Sequence, residues 1–412
     1  MTIALDNRTG STAIQADDKM NISHYLFLLF WLLKPIYLKE SGTLQIADLV
    51  FVMSFVSWIF INRANLVLSS INGLFASFVA GVFIVNSIYA ALYHNINYMV
   101  QTSYYMFNLL IVLEFSDMTS NNRFLKDLMK VTVFNLFLQL IVLFLRTGRY
   151  YYGVRYMGTF NDPNQFSFFV FASFLLIYIV LRYFEGANSR GAMLKSLSIF
   201  AVAFFLISQG SSTGALLGIA AFIFMLIIAF VSSKKSPGFM FSKIVIYFFF
   251  SAFVMYTVLT GLTSDFVKSG SYSDNFFIMR LAEKFGKITS GGIRAIMEER
   301  GISNVLENPL YLFFGAGEGG NARFAFSGEV HSTLIGIAFY YGILPFMLLL
   351  KWIRENTRNV RGILLPVFFA LLVESLILAN QRQPILWMII VLGNLEFRIK
   401  PLNRIGTIRV RI

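Results

Sequence analysis

The sequence predicts an all-α, polytopic integral membrane protein: one membrane domain of about twelve transmembrane helices with a single long outer loop late in the chain. Three observations predict it. Apolar runs of about twenty residues recur along the whole chain, and each can cross a bilayer as a helix. The composition is 57% hydrophobic and 13% charged, against about 25% charged in a soluble domain. The basic residues, finally, fall unevenly between alternate loops, as the positive-inside rule requires.

Residues 1–21 are polar with mixed charge and lack the charged start, apolar stretch and cleavage site of a signal peptide. They read as a short cytoplasmic tail. Candidate spans follow at about 22–38, 44–61, 66–93, 97–116, 128–145, 166–184, 194–209, 214–232, 242–261, 331–352, 361–379 and 384–397. With the first residue inside, the inner segments hold 21 of the 34 Lys and Arg residues and the short outer loops hold six. The other seven lie in the long loop, which the rule governs poorly. Both termini are therefore expected in the cytoplasm and residues 262–330 outside. A cysteine placed at Ser271 of this cysteine-free chain should react with an impermeant maleimide on intact cells. Labelling that appears only after lysis would reverse the orientation.

The net charge of +13 follows from these inner loops, so no nucleic-acid partner is implied. Without cysteine there is no disulfide framework and no thiol chemistry. No internal repeat is visible, which disfavours a secondary transporter.

The loop 262–330 is too long for a connector and too regularly apolar for disorder. Phe276, Phe277, Ile278 and Leu281 alternate with Arg280, Glu283, Lys284 and Lys287 at helical period. Ile293, Ile296, Met297, Val305 and Leu306 do the same with Arg294, Glu298, Glu299 and Arg300. A turn at Glu307-Asn308-Pro309 follows, then a Gly-rich run from Gly315 to Gly320 and a fourth arginine, Arg323. The run lacks the Lys-Ser/Thr of a phosphate loop and reads as a flexible hinge.

His331 opens the next span beside Glu329 and Ser332. A neutral imidazole there can take a proton from an attacking hydroxyl, with Glu329 as its orienting neighbour. A helix cap or interface residue is the plainer reading. His24 and His94 read as ordinary interface and turn residues.

On the outer face, Arg146 to Ser167 gathers three arginines and four tyrosines. Arg146 and Arg149 read as snorkelling side chains. Arg155 sits against the turn Asn161-Asp162-Pro163-Asn164, where Asp162 or Asn164 can cap the next helix, whose free N–H groups suit an anion. The stretch Ser208–Gly214 reads as a tight helix–helix turn, with the hydroxyls of Ser211 and Thr213 able to contact sugar or phosphate. Asp48, Glu114 and Glu374 fall within spans, where an acid is a functional candidate. Arg382 is expected to pair with Glu374. No Asp-x-Asp or His-x-x-x-His arrangement faces out, so no metal site of ordinary spacing is expected.

The order Arg155-x-x-Gly158-Thr159-Phe160-x-x-Pro163-Asn164, Arg294, Gly315-Ala316-Gly317 and His331-Ser332 resembles the bacterial O-antigen ligase and Wzy-type polymerase superfamily. The resemblance covers about 150–345 in motif and the rest in topology. It implies a C-type glycosyltransferase-like architecture in the bacterial cytoplasmic membrane. It also implies metal-independent, inverting transfer of undecaprenyl-diphosphate-linked glycan, with no cofactor. Polymerisation of O-antigen, capsule or exopolysaccharide repeat units is the first expectation; ligation to lipid A core is the alternative, and a lipid-linked glycan flippase a further one. The implied partners are the lipid-linked donor, a glycan acceptor, membrane lipid, and a chain-length regulator and flippase of the same pathway. By position, Arg294 holds the diphosphate and His331 serves the acceptor. Many members carry an arginine in the small-residue turn before span eight. Here that stretch is Ser211-Ser212-Thr213-Gly214, and Arg155, Arg280 or Arg323 stand as substitutes. Asn161, Asn164, Arg300, Glu329 and Arg382 complete the expected substrate-binding set.

Overall fold

The computed structural model describes residues 19–39, 44–62, 69–152, 155–186, 189–210, 212–232, 297–298, 300–325, 327–358, 360 and 362–395. The expected span 242–261, the first amphipathic piece of the long loop, and the expected site residues Ser211, Arg280 and Arg294 lie outside them.

The described chain is helical on every other expected apolar stretch. The helices are α1 (Ile22–Leu33), α2 (Ile46–Ile61), α3 (Ser70–Tyr93), α4 (Asn97–Met118), α5 (Asn122–Phe144), α6 (Pro163–Glu185), α7 (Arg190–Gly210) and α8 (Thr213–Ser232). After the long loop come α9 (Ile302–Glu307), α10 (Tyr311–Phe314), α11 (Thr333–Tyr341), α12 (Ile343–Thr357), α13 (Leu365–Ile377) and α14 (Pro384–Leu392). Among the described residues, α3, α5, α6 and Gly191–Gly210 of α7 are long and apolar enough to cross a membrane. The chain is a mostly helical membrane protein.

Local chemistry sets the helix starts. Ser69, Asn121 and Ser332 each accept a backbone N–H from the first turn of α3, α5 and α11. Asn21 and His24 form a reciprocal capping box at α1, which accounts for His24. Asp162 caps α6 by accepting from the backbone N–H of Asn164 (2.8 Å) and Gln165 (2.9 Å), with Pro163 in the first turn.

The α6 helix is the axis of the bundle. Every residue from Phe166 to Arg182 is buried, as an all-round apolar sequence demands. The α14 helix, buried along its whole length, packs beside it. Around this pair, α1 packs with α2, α3 with α4 and α12, α6 with α7, and α8 with α13. Polar side chains tie the helices across the interior: Trp31 donates to Thr132 (2.9 Å), Asn86 to Thr102 (2.9 Å) and Ser54 to Glu114 (2.6 Å). The outward faces of α3 and α5 keep Ile84, Ile88, Leu92, Phe134 and Ile141 exposed, a surface for hydrocarbon.

Two expectations are corrected here. The stretch 331–352 is not one helix but two, broken at Gly342, whose φ of 78° lies in the left-handed region. The break frees carbonyls of α11. Phe339 O accepts from Ala316 N (2.9 Å) and Tyr340 O from Gly317 N (2.7 Å). The Gly-rich run is therefore no hinge. It is packed backbone, with Ala316 and Glu318 buried, and a side chain at Gly320 would collide with the Tyr98 hydroxyl. A Cβ at Gly342 would stand 2.5 Å from Phe313 O and 2.7 Å from Gly315 N. Gly342→Ala is expected to cost about 1–3 kcal/mol through clash and backbone strain, read as a lower midpoint of thermal unfolding in detergent.

Candidate functional site

The helices alternate in direction, so one end of the bundle collects the ends of α1, α3, α5, α7 and α13 and the starts of α2, α4, α6, α8, α11 and α14. This end carries all the described candidate residues.

The segment after α5 folds into an antiparallel ribbon, β1 (Arg149–Tyr151) with β2 (Arg155–Gly158), laid over the α6 start. The Arg155 guanidinium donates to Gly210 O at the end of α7 (3.1 Å) and to Asn164 Oδ1 in the first turn of α6 (3.0 Å). Asn161 accepts from Arg149 and donates to Lys39 O (2.6 Å). Arg149, expected to snorkel, is thus tied to the turn. Tyr156 beneath is buried, and burial with Tyr150 nearby pushes its phenol well above the usual range. Thr213 opens α8, half-buried. The Cβ position of Gly214 one residue on abuts Leu378, which leads from α13 into the next cluster.

The α11 start is stitched to the end of α13. Thr333 donates its N–H (3.0 Å) and its hydroxyl (2.8 Å) to Leu378 O, and accepts from Asn380 N (2.8 Å). Arg300 donates its guanidinium to Ile377 O. The backbone N–H of His331 donates to Arg300 O (3.0 Å), and the His331 residue is exposed at the rim. The helix cap is Ser332, not His331, so the imidazole is not committed to capping.

The third cluster was not legible as such. Arg382 bridges two carboxylates through one nitrogen, Glu318 Oε1 (2.9 Å) and Glu329 Oε1 (2.7 Å). Glu318 is 2% exposed and also accepts from Tyr341 (2.6 Å), Tyr105 (3.3 Å) and Gln381 (3.3 Å). Glu329 is 42% exposed. Burial pulls the Arg382 pKa down, but Glu318 and Glu329 together hold it above its ordinary value, so the guanidinium stays charged.

Two sequence readings fail at this point. Arg382 does not pair with Glu374, whose carboxylate accepts instead from Asn380 (2.5 Å). Glu329 turns to Arg382 rather than to His331. Arg323, an expected substrate contact, donates to Ala316 O and lies against the rings of Tyr89 (4.7 Å) and Phe324 (4.7 Å), a packing role in this arrangement. Asp48 forms an ion pair with Lys34 (2.8 Å) at the same end. Glu318 lay inside the run read as a hinge. Its flanking glycines, which permit close backbone approach, were the signal that marked it.

Among the described residues no three His, Asp or Glu side chains group to hold a metal ion. No protein-family profile and no curated protein matches the chain.

Proposed function

We propose that the chain is a glycosyltransferase that polymerises undecaprenyl-diphosphate-linked oligosaccharide units at the outer face of a bacterial cytoplasmic membrane. On this reading twelve spans form a C-type glycosyltransferase-like domain, with both termini cytoplasmic. One observation carries the proposal. Arg155 with Asn164, Arg300 with His331, and Arg382 all stand at one end of the bundle, on helix termini linked through Leu378 and Gly210. That end brings arginine side chains and an exposed imidazole together, which a lipid diphosphate and an attacking hydroxyl require.

In the proposed reaction the acceptor hydroxyl attacks the anomeric carbon of the donor sugar. The new C–O bond forms as the bond to the diphosphate breaks, and the diphosphate leaves as an anion held by arginine. His331 takes the hydroxyl proton. Arg294, six residues before Arg300, is assigned to the diphosphate. Arg294→Ala is expected to lower polymer formation by about 10²–10³, the usual worth of one donor to a developing anion. Arg294→Lys should recover little of it, since an ammonium lacks the bidentate fork. Near-normal polymer at wild-type protein level would remove Arg294 from the site.

Ligation to lipid A core uses the same donor chemistry with another acceptor. A transporter reading has an observation of its own: Glu114 and Glu374 are fully buried within helices. Purified protein in vesicles with lipid-diphosphate repeat units separates these. Chain growth with release of lipid diphosphate supports the polymerase; transfer only to an added lipid A core supports the ligase. Movement across the bilayer with no bond formed supports the flippase.

A further inference from the structure

We propose that residues 302–320 do not sit in water outside the bilayer but re-enter it. The segment descends from the His331 end, meets the broken helix at Gly342 and returns, holding Leu310, Phe313 and Phe314 against lipid acyl chains. The inference rests on the membrane character of the bundle alone, not on the enzymatic reading.

Depth is the first argument. Glu318 N–H donates to Asn86 Oδ1 (3.0 Å), and Asn86 lies seven residues before Tyr93, about 10 Å below the end of α3. Gly342 is three residues before Pro345, whose ring abuts Gly81 still lower on α3. The α3 helix has 24 residues, about 36 Å, and overhangs a hydrocarbon layer of about 30 Å by only a few Å. Asn86 and the backbone beside it are inside that layer. On the return, the Cβ position of Gly319 abuts the backbone of Asn97, at the start of α4, so the chain is rising toward the outer end there.

Backbone pairing is the second argument and is independent of depth. A water-facing loop leaves polar groups to solvent, whereas a segment in hydrocarbon cannot. Here every N–H from Tyr311 to Glu318 has a partner within the protein. The carbonyls at the turn are capped too: Gly315 O by the Tyr89 hydroxyl (2.9 Å), Ala316 O and Gly317 O by Arg323. The opening at Gly342 supplies two of the acceptors, Phe339 O and Tyr340 O. Irregular backbone at membrane depth is tolerated in just this circumstance.

The apolar surface is the third. Leu310, Phe313 and Phe314 are 70%, 63% and 77% exposed. Such a cluster on a loop in water is exceptional. The α10 helix packs against α11 and α12, and Leu344 of α12 and Ile88 of α3 are exposed as well. The patch thus continues the lipid-facing surface of a spanning helix.

The test uses Phe314→Cys and Leu310→Cys, each in proteoliposomes and carrying an environment-sensitive thiol fluorophore. Nitroxides on lipid acyl chains should quench both probes more than nitroxides on headgroups. An impermeant maleimide should fail to label either cysteine while labelling Ser327→Cys, at an exposed position four residues before His331. Reaction of Phe314→Cys or Leu310→Cys with the impermeant reagent overturns the proposal. So does a probe shielded from water yet unquenched by acyl-chain nitroxides, which would put another part of this chain or a second copy over the patch. Either variant alone decides the matter if the other fails to fold.

Discussion

Arg382→Ala is expected to destabilise the protein by about 3 kcal/mol, the low end of the range for breaking a buried ion pair. Glu318 is 2% exposed, and without Arg382 its carboxyl would be left with only the Tyr341, Tyr105 and Gln381 donors. Arg382 itself is 31% exposed, which places the cost at the low end. Glu329→Ala is expected to cost less than about 1 kcal/mol, because its carboxylate is already half in contact with the surroundings. A sharper form adds Glu318→Gln to Arg382→Ala. Removing the stranded charge should restore much of the loss if uncompensated burial is the cause. The measurement is the unfolding midpoint of purified protein in one detergent for the four combinations. An Arg382→Ala protein as stable as wild type, or a double variant less stable than either single one, defeats the account.

His331→Ala is expected to lower turnover by about 10²–10⁴, the usual worth of a general base, while donor binding by the arginines persists. The position favours this role. The His331 backbone is pinned to Arg300 O, the neighbouring Ser332 does the capping, and the residue is exposed where the bundle gathers its cations. The sign with pH follows from the role: a base must be unprotonated, so turnover should fall on acidification through the histidine range. A residue that merely positions the acceptor by hydrogen bonding would be replaced well by glutamine and would show no such fall. Turnover against pH for wild type and His331→Gln separates the two. A flat wild-type profile, or comparable turnover in the glutamine form, makes His331 a positioning residue. With Glu329 committed to Arg382, Glu329→Gln should leave the wild-type pH profile unmoved.

The positions of the helices were legible because a membrane span is a local property. About twenty apolar residues suffice to mark one, whatever the rest of the chain does. The ends of α3, α6 and α8 fall within a few residues of expectation, and of the two caps offered by the turn, Asp162 and Asn164, the helix uses Asp162. Alternation of direction then places Arg155, His331 and Arg382 at one end without further information.

Partner choice was decided by tertiary structure. Glu374 is eight residues from Arg382 in the chain, yet the chain between them turns at Leu378 and Asn380, and Asn380 satisfies the carboxylate first. Arg382 instead meets acids 64 and 53 residues away. The break at Gly342 was hidden for a related reason. A glycine inside a helix costs only about 1 kcal/mol and need not interrupt it. Here the hydrogen bonds of Ala316 and Gly317, brought in from the loop, take the carbonyls that a continuous helix would have used. Apolarity, carried by each residue itself, thus set which segments are helices, whereas hydrogen bonds and ion pairs between distant segments set what the buried polar groups at their ends do.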